Sequence, residues 1–281
     1  MEIISDIKKM REWSDNVRLK EQRIGFVPTM GFLHEGHLSL IREAQRYSEK
    51  VVLSIFVNPT QFGPSEDFSK YPRNLQRDLE MVEKENVNIV FTPGHEKLYP
   101  KGYQTYVQLE SLPNHLCGIS RPTHFRGVAT IVTKLFNIVN PHIAVFGQKD
   151  YQQVAVIKQM VEDLNFDIKI IASPTIRESD GLAMSSRNTY LSPEQRLSST
   201  SLYQSLKKTQ ALIKEGIKDV NTLIDNAKKI ILNFSETSID YIKICDIQTL
   251  EDMININQPV LMALAVKVGK TRLIDNMVLY P

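Results

Sequence analysis

The chain has 281 residues, 42% of them hydrophobic and 23% charged, and 34 Lys and Arg against 32 Asp and Glu leave a formal net charge of +2. That length supports a large core or two domains, of which two is the expectation, and the near-balance of charge gives no sign of the concentrated positive field that nonspecific nucleic-acid binding needs. With charges scattered through MEIISDIKKMREW and no run of 18 consecutive apolar residues, a soluble cytoplasmic protein without membrane contact is expected, one whose partners are small molecules.

In chain order, IGFV at 24–27, VVLSIFV at 51–57, VNIVF at 87–91, HIAVF at 142–146 and IKIIA at 168–172 are too continuously apolar for half-exposed strands and suit a parallel sheet buried on both faces. Segments with helical apolar spacing lie between them, at 38–47, 75–85, 128–139 and 151–164. Alternating strands and helices predict an α/β, Rossmann-like, doubly wound parallel sheet over residues 1–175. From about residue 176 the pattern changes. Ser192, Pro193 and Gln195 form a capped helix start, a second helix is expected at 220–232, and YIKIC at 241–245 alternates. VLMALAVKVGKTRLIDNMVL at 260–279 reads as two strands around a turn near Gly269, so residues 176–281 are expected to form a smaller α+β domain. Cys117 and Cys245 form no C-x-x-C pair and are read as reduced packing residues.

The stretch PTMGFLHEGH puts His34 and His37 at the expected start of a helix. There, ring N–H groups and the uncapped backbone donors of the first turn converge, and phosphate is the natural guest. A zinc site is the competing reading, but the spacing is three, not the four of H-E-x-x-H, and no third ligand is evident; packing or capping histidines are the bland alternative. Neither G-x-x-x-x-G-K-[ST] nor G-x-G-x-x-G is present, so a bound nucleotide would have to be held by side chains and helix ends. AMSSRN at 183–188 offers Ser185 and Ser186 as donors and Arg187 as a cation, and FGQKDYQQ at 146–153 offers Lys149 to a phosphate and Asp150 to a ribose hydroxyl. Alone, the first cluster is also compatible with an exposed loop and the second with a Lys-Asp helix start on the surface.

Taken together, PTMGFLHEGH, FVNPTQFGPSEDFSKYPR, HFRGVATIV, FGQKDYQQ and DGLAMSSRN resemble, in order and spacing, the pantothenate synthetase (pantoate–β-alanine ligase) family within the H-x-G-H nucleotidyltransferase superfamily. The resemblance implies an AMP-forming ligase of the coenzyme A pathway that uses ATP and Mg2+ to join (R)-pantoate to β-alanine through pantoyl adenylate, with release of pyrophosphate. It implies catalytic roles for His34, His37, Lys149, Ser185, Ser186 and Arg187, and an ATP site that also includes Pro28, Thr29, Met30, Gly36, Gly147, Asp150, Ile176 and Met184. For pantoate it implies Met30, Asn58, Gln61, Tyr71, His124 and Gln153, with Arg121 and Arg126 near His124. A homodimer is also implied, and the VVLSIFV run is either an interface strand or a core strand. Two positions depart from common family patterns: Arg77 precedes Asp78 where adjacent acids are frequent, which leaves Asp78 either as the metal neighbour or as a solvated helix charge, and Thr123 stands where glycine is common. An enzyme that joins a nucleotide to a phosphorylated acceptor is the competing catalytic reading, and a non-catalytic nucleotide-binding module is the reading from another class.

Overall fold

The computed structural model describes residues 1–64 and 66–281. In chain order the elements are β1 (Glu2–Ile4), α1 (Ile7–Leu19), β2 (Ile24–Thr29), α2 (Glu35–Gln45), β3 (Lys50–Ile55), α3 (Leu75–Glu83), β4 (Ile89–Phe91), α4 (His95–Leu98), α5 (Cys117–Ser120), α6 (His124–Val139), β5 (Ile143–Gly147), α7 (Tyr151–Asp163) and β6 (Lys169–Ser173). They continue with α8 (Pro193–Ser199), α9 (Ser201–Lys214), α10 (Val220–Leu232), β7 (Thr237–Asp246), β8 (Val260–Val268) and β9 (Thr271–Leu279). No helix among the described residues is long and apolar enough to cross a membrane.

The chain divides into two units, one of residues 1–110, 121–148 and 153–174, the other of 111–120, 149–152 and 175–281. The single boundary expected at 175/176 therefore leaves out two short segments that group with the C-terminal residues. Gln152 explains much of this: its Nε2 donates to the Leu112 and His115 carbonyls at 2.9 and 2.7 Å, and its Oε1 accepts from the Cys117 N–H at 2.9 Å. Tyr151 adds a hydroxyl bond to the Ile247 carbonyl at 3.0 Å. Nothing in a one-dimensional pattern announces such long-range polar ties.

The first unit is built on a parallel sheet in the order β1-β4-β3-β2-β5-β6. Alternation along each strand feeds two cores. Phe26 and Val52 pack with Met10, Val132, Phe136, Ile157 and Met160 from α1, α6 and α7, whereas Val27, Leu53 and Val90 pack with Leu38, Ile41, Ala44 and Val82 from α2 and α3. Continuous apolar runs are the result, because both faces of every central strand are covered. β3 lies between β2 and β4, and Val51, Val52 and Leu53 are buried, so VVLSIFV is a core strand, and it ends at Ile55. β1 and α1 lie outside the predicted elements. β1 exists through its parallel pairing with β4, from Glu2 opposite Ile89 to Ile4 opposite Phe91, and α1 buries only Met10, Ser14 and Val17 among many charges. The direction of winding reverses between β2 and β5, and in an open α/β sheet the carboxyl ends at such a switch are where sites form.

The second unit packs α8, α9 and α10 with an antiparallel sheet in the order β7-β8-β9. The predicted cap is present: the Ser192 hydroxyl accepts from the Gln195 N–H at 3.2 Å, and Gln195 Oε1 accepts from the Ser192 N–H at 3.3 Å. The helix it starts breaks at Thr200 and continues as α9. Leu202, Leu206, Leu223, Ala227, Ile231, Met262, Leu264 and Val266 form the core of this unit. Cys117 and Cys245 are both buried and free, and burial pushes the Cys245 thiol up to about 12.

Candidate active site

At the carboxyl end of β2 the chain must turn sharply to begin α2. Thr29 fixes the strand end by donating its hydroxyl to the Ser54 carbonyl at 2.8 Å and accepting from the Gly31 N–H at 3.2 Å. Gly31 (φ 79) and Phe32 (φ 49) then take consecutive left-handed conformations, a course that costs Phe32 strain. Asp78, from the first turn of α3, holds this turn: its Oδ2 accepts from the Phe32 N–H and its Oδ1 from the Leu33 N–H, both at 2.7 Å. Arg77 completes the clamp, donating to the Leu33 carbonyl at 2.9 Å, with its guanidinium 4.9 Å from the Phe32 ring centroid. Burial raises the Asp78 carboxyl above its ordinary range, opposed by the two N–H donors and by Arg77.

The expectation that Asp78 is a metal neighbour is corrected by this geometry. Its side chain is 1% exposed, and each oxygen accepts a backbone N–H of the 31–33 turn, so the carboxylate is directed into that turn and away from solvent. Among the described residues no group of three or more His, Cys, Asp or Glu could hold a metal ion.

The clamp delivers His34 as the extended N-cap of α2 and His37 as its third residue. The two rings lie 4.0 Å apart, centroid to centroid, and the His34 backbone N–H donates to His37 Nδ1 at 3.3 Å. An Nδ1 that accepts leaves the ring proton of a neutral His37 on Nε2, so that nitrogen is a donor. Pro28 and Gly36 flank this arrangement on β2 and in the first turn of α2.

Beside it, the 3-10 turn Pro59–Gln61 follows β3. Gln61 is nearly buried; its Oε1 accepts from Asn58 Nδ2 at 3.1 Å and its Nε2 lies 3.1 Å from Met30 Sδ. Asn58 is 1% exposed and its amide is fully engaged, donating also to the Gly127 carbonyl and accepting from Thr60 and Tyr99. Asn58 is thus corrected from a pantoate contact to a residue that holds Gln61. His124 acts on the same turn from the start of α6, with Nδ1 2.9 Å from the Gln61 carbonyl, and Arg121 donates to that carbonyl at 3.3 Å while pairing with Glu66. Gly127 lets α6 approach so closely: a Cβ there would lie 2.4 Å from the Thr60 carbonyl oxygen. Arg126 stacks on the Tyr106 ring instead of joining this group. Tyr71 is buried with its ring 6.0 Å from that of Phe62, and Gln153 is half-buried on α7. Gly147 ends β5; a Cβ there would meet nothing within 4 Å, so no protein contact demands glycine.

In the second unit Lys149 and Asp150 lie in the 3-10 turn Gln148–Asp150, Lys149 half-buried and Asp150 exposed. Ser185 caps the 3-10 helix Ser186–Tyr190, its hydroxyl accepting from the Arg187 N–H at 3.3 Å, and Ser186 is buried. Ile176 and Met184 are joined by a backbone bond of 3.0 Å and are both half-buried. The loop that carries these residues is braced by Arg196, which donates to Asp180 at 2.7 Å and to Glu178 at 2.6 Å.

A family profile described as pantoate-beta-alanine ligase matches residues 2–278. The chain belongs to the pantoate-beta-alanine ligase family. It is 57% identical to the pantothenate synthetase of Desulfatibacillum aliphaticivorans over the whole of both chains, and 55% identical to that of Moorella thermoacetica over 99% of each. Among solved structures, a pantothenate synthetase from Thermus thermophilus superposes with a TM-score of 0.95 at 41% identity over the whole of both chains. The pantoate-beta-alanine ligase from Francisella tularensis, crystallised with beta-gamma ATP and beta-alanine, gives 0.83 at 35% identity, covering 99% of this chain and 97% of that one. Membership makes the chain an enzyme, an ATP-consuming, AMP-forming ligase of pantoate and β-alanine.

Sequence reasoning missed the Arg77–Asp78 clamp and the Arg196 brace. Arg77 and Asp78 are adjacent in an unremarkable helix start, and only the approach of Asp78 to Phe32, 46 residues away in sequence, gives them a function.

Proposed function

We propose that the chain binds one ATP, with His34, His37, Lys149, Ser185, Ser186 and Arg187 meeting its phosphates, while Gln61, Gln153 and Met30 meet pantoate. Pro28, Thr29, Met30 and Gly36 border the phosphates, Asp150 meets the ribose, and Gly147, Ile176 and Met184 meet adenosine. The observation that carries this reading is the clamped delivery of His34 and His37 to the start of α2, at the switch point of the sheet. Helix-end N–H groups and the His37 Nε2–H meet negative charge there without needing to reorganise.

In the first step the pantoate carboxylate attacks the α-phosphorus; an acyl–O–P bond forms, the bond to the β-phosphate breaks, and pyrophosphate leaves with its charge met by the imidazole, ammonium and guanidinium groups. In the second, the free amine of β-alanine attacks the acyl carbon, AMP leaves with the acyl–oxygen bond electrons, and the amine gives up a proton. No covalent enzyme intermediate is needed. Gln61 suits pantoate because thioether sulfur is a weak acceptor: its N–H toward Met30 exchanges readily for a substrate oxygen without adding charge. Tyr71 and His124 border this part through packing and through the Gln61 carbonyl. Mg2+ enters as part of the MgATP substrate, consistent with no group of three or more His, Cys, Asp or Glu among the described residues that could hold a metal ion. The family resemblance supports a homodimer and a cytoplasmic location.

The test is exchange of labelled pyrophosphate into ATP. The exchange should require pantoate and proceed without β-alanine, and addition of β-alanine should yield pantothenate and AMP. His34→Ala and Lys149→Ala should each slow exchange by roughly two to three orders of magnitude. Exchange independent of pantoate would sink the reading.

A further inference from the structure

Asp275 and Asn276 are consecutive residues of β9, an edge strand, so their side chains leave opposite faces of the sheet. Toward one face Asp275, only 2% exposed, grips Arg177 in a two-pronged pair, Nη1 to Oδ2 at 2.6 Å and Nη2 to Oδ1 at 2.9 Å. Arg177 also donates to the Gly181 carbonyl at 3.1 Å, lies 4.0 Å over the Tyr203 ring, and bridges to Ala183 through its backbone. Asn188 carries the constraint onward, donating to the Ala183 carbonyl at 3.1 Å and to Glu178 at 2.7 Å from within the turn that holds Ser186 and Arg187. Toward the other side Asn276 Nδ2 donates to the Lys149 carbonyl at 2.8 Å. The two are locked together, because the Asn276 N–H donates to Asp275 Oδ1 at 2.8 Å.

We propose that Asp275 and Asn276 are positioning residues that register Lys149 against the Ser185, Ser186 and Arg187 turn, so that groups from two distant parts of the sequence meet the phosphates at a fixed separation. This rests on the assignment of those groups to ATP. Neither residue touches the reacting atoms. Their effect is preorganisation, and a displacement of about 1 Å at a charge-stabilising donor can cost up to roughly a hundredfold in rate.

The Asn276 arm is read on Asn276→Ala, which removes the Nδ2 donor to the Lys149 carbonyl at a half-buried site. Pantoate-dependent pyrophosphate exchange should fall about ten- to a hundredfold in kcat, with the pantoate KM and the thermal midpoint unchanged. In a Lys149→Ala background the same substitution should cost nothing further. For the other arm, removing Asp275 alone strands a half-buried guanidinium and threatens folding, so the pair is replaced together as Arg177→Met with Asp275→Leu, which buried ion pairs tolerate well. That variant should fold, lose a comparable factor in exchange, and lose no more when Ser186→Ala is added. Wild-type exchange in either variant, or losses that multiply in the Lys149→Ala and Ser186→Ala backgrounds, would overturn the proposal. If Lys149→Ala and Ser186→Ala were themselves without effect, the ATP assignment beneath it would fall first.

Discussion

Replacing Asp78 with Ala leaves the Phe32 and Leu33 N–H groups, each now 2.7 Å from a carboxylate oxygen, without their acceptor in a buried turn. Each unpaired buried donor costs about 1–3 kcal/mol, and the left-handed backbone of Phe32, at φ 49, is held against its strain by this clamp and by Arg77. Against this stands the relief of no longer burying a carboxylate, whose raised pKa shows that its ionised form is held at a cost. The net loss should be about 2–4 kcal/mol, a large share of the roughly 5–15 kcal/mol typical of a domain. Asp78→Asn keeps one acceptor and turns an NH2 against the other N–H, so it should lose less stability yet still displace His34, the residue after Leu33, and lower the exchange rate roughly ten- to a hundredfold. Urea unfolding followed by circular dichroism gives the first quantity, and pyrophosphate exchange at saturating MgATP gives the second. A Mg2+ titration separates the clamp from a metal role: the clamp predicts an unchanged Mg2+ midpoint in Asp78→Asn. Wild-type exchange, or a raised Mg2+ requirement with unaltered stability, would refute the reasoning.

His142 gives a pH prediction: its Nδ1 accepts the Ile24 N–H at 2.9 Å, and burial, with Arg18 and Arg23, lowers its pKa below the usual 6.5. The unfolded chain then takes up the proton first, so stability is full above about pH 6.5 and declines as pH falls below it; His142→Gln should flatten the urea midpoint between about pH 5 and 7, and an unaltered slope counts against the assignment. Gly127→Ala puts a methyl 2.4 Å from the Thr60 carbonyl oxygen and should cost about 1–3 kcal/mol in thermal unfolding. By shifting the turn at Gln61 it should also raise the pantoate KM more than the ATP KM. Gln61→Ala should do the same with little loss of stability, and equal changes in both KM values would remove Gln61 from the pantoate site.

The family resemblance was legible because local chemistry wrote it: His34 and His37 at a helix start, Lys149 after a strand, and Ser185–Ser186–Arg187 in a loop keep their order and spacing whatever the distant chain does. The parallel sheet was legible for a similar reason, since strands covered on both faces must be continuously apolar, as 24–27 and 142–146 are. β1 escaped because a three-residue strand is made by its partner β4 and not by its own pattern, and α1 because its buried stripe is narrow among many charges. Asp78 was misread as a metal neighbour, and Asn58 as a substrate contact, because an exposed and a buried polar residue look alike in sequence.

What the sequence determined by itself was the set of groups able to meet phosphate and the elements on which they ride. Only the tertiary structure decided how those groups are held, through Asp78 on the 31–33 turn, Asn58 and His124 on Gln61, and Asp275 with Asn276 on Arg177 and Lys149. The physical reason is range. Hydrophobic period and helix capping act within a few residues, whereas the value of a carboxylate or amide depends on what folding sets beside it, tens of residues away and out of reach of water.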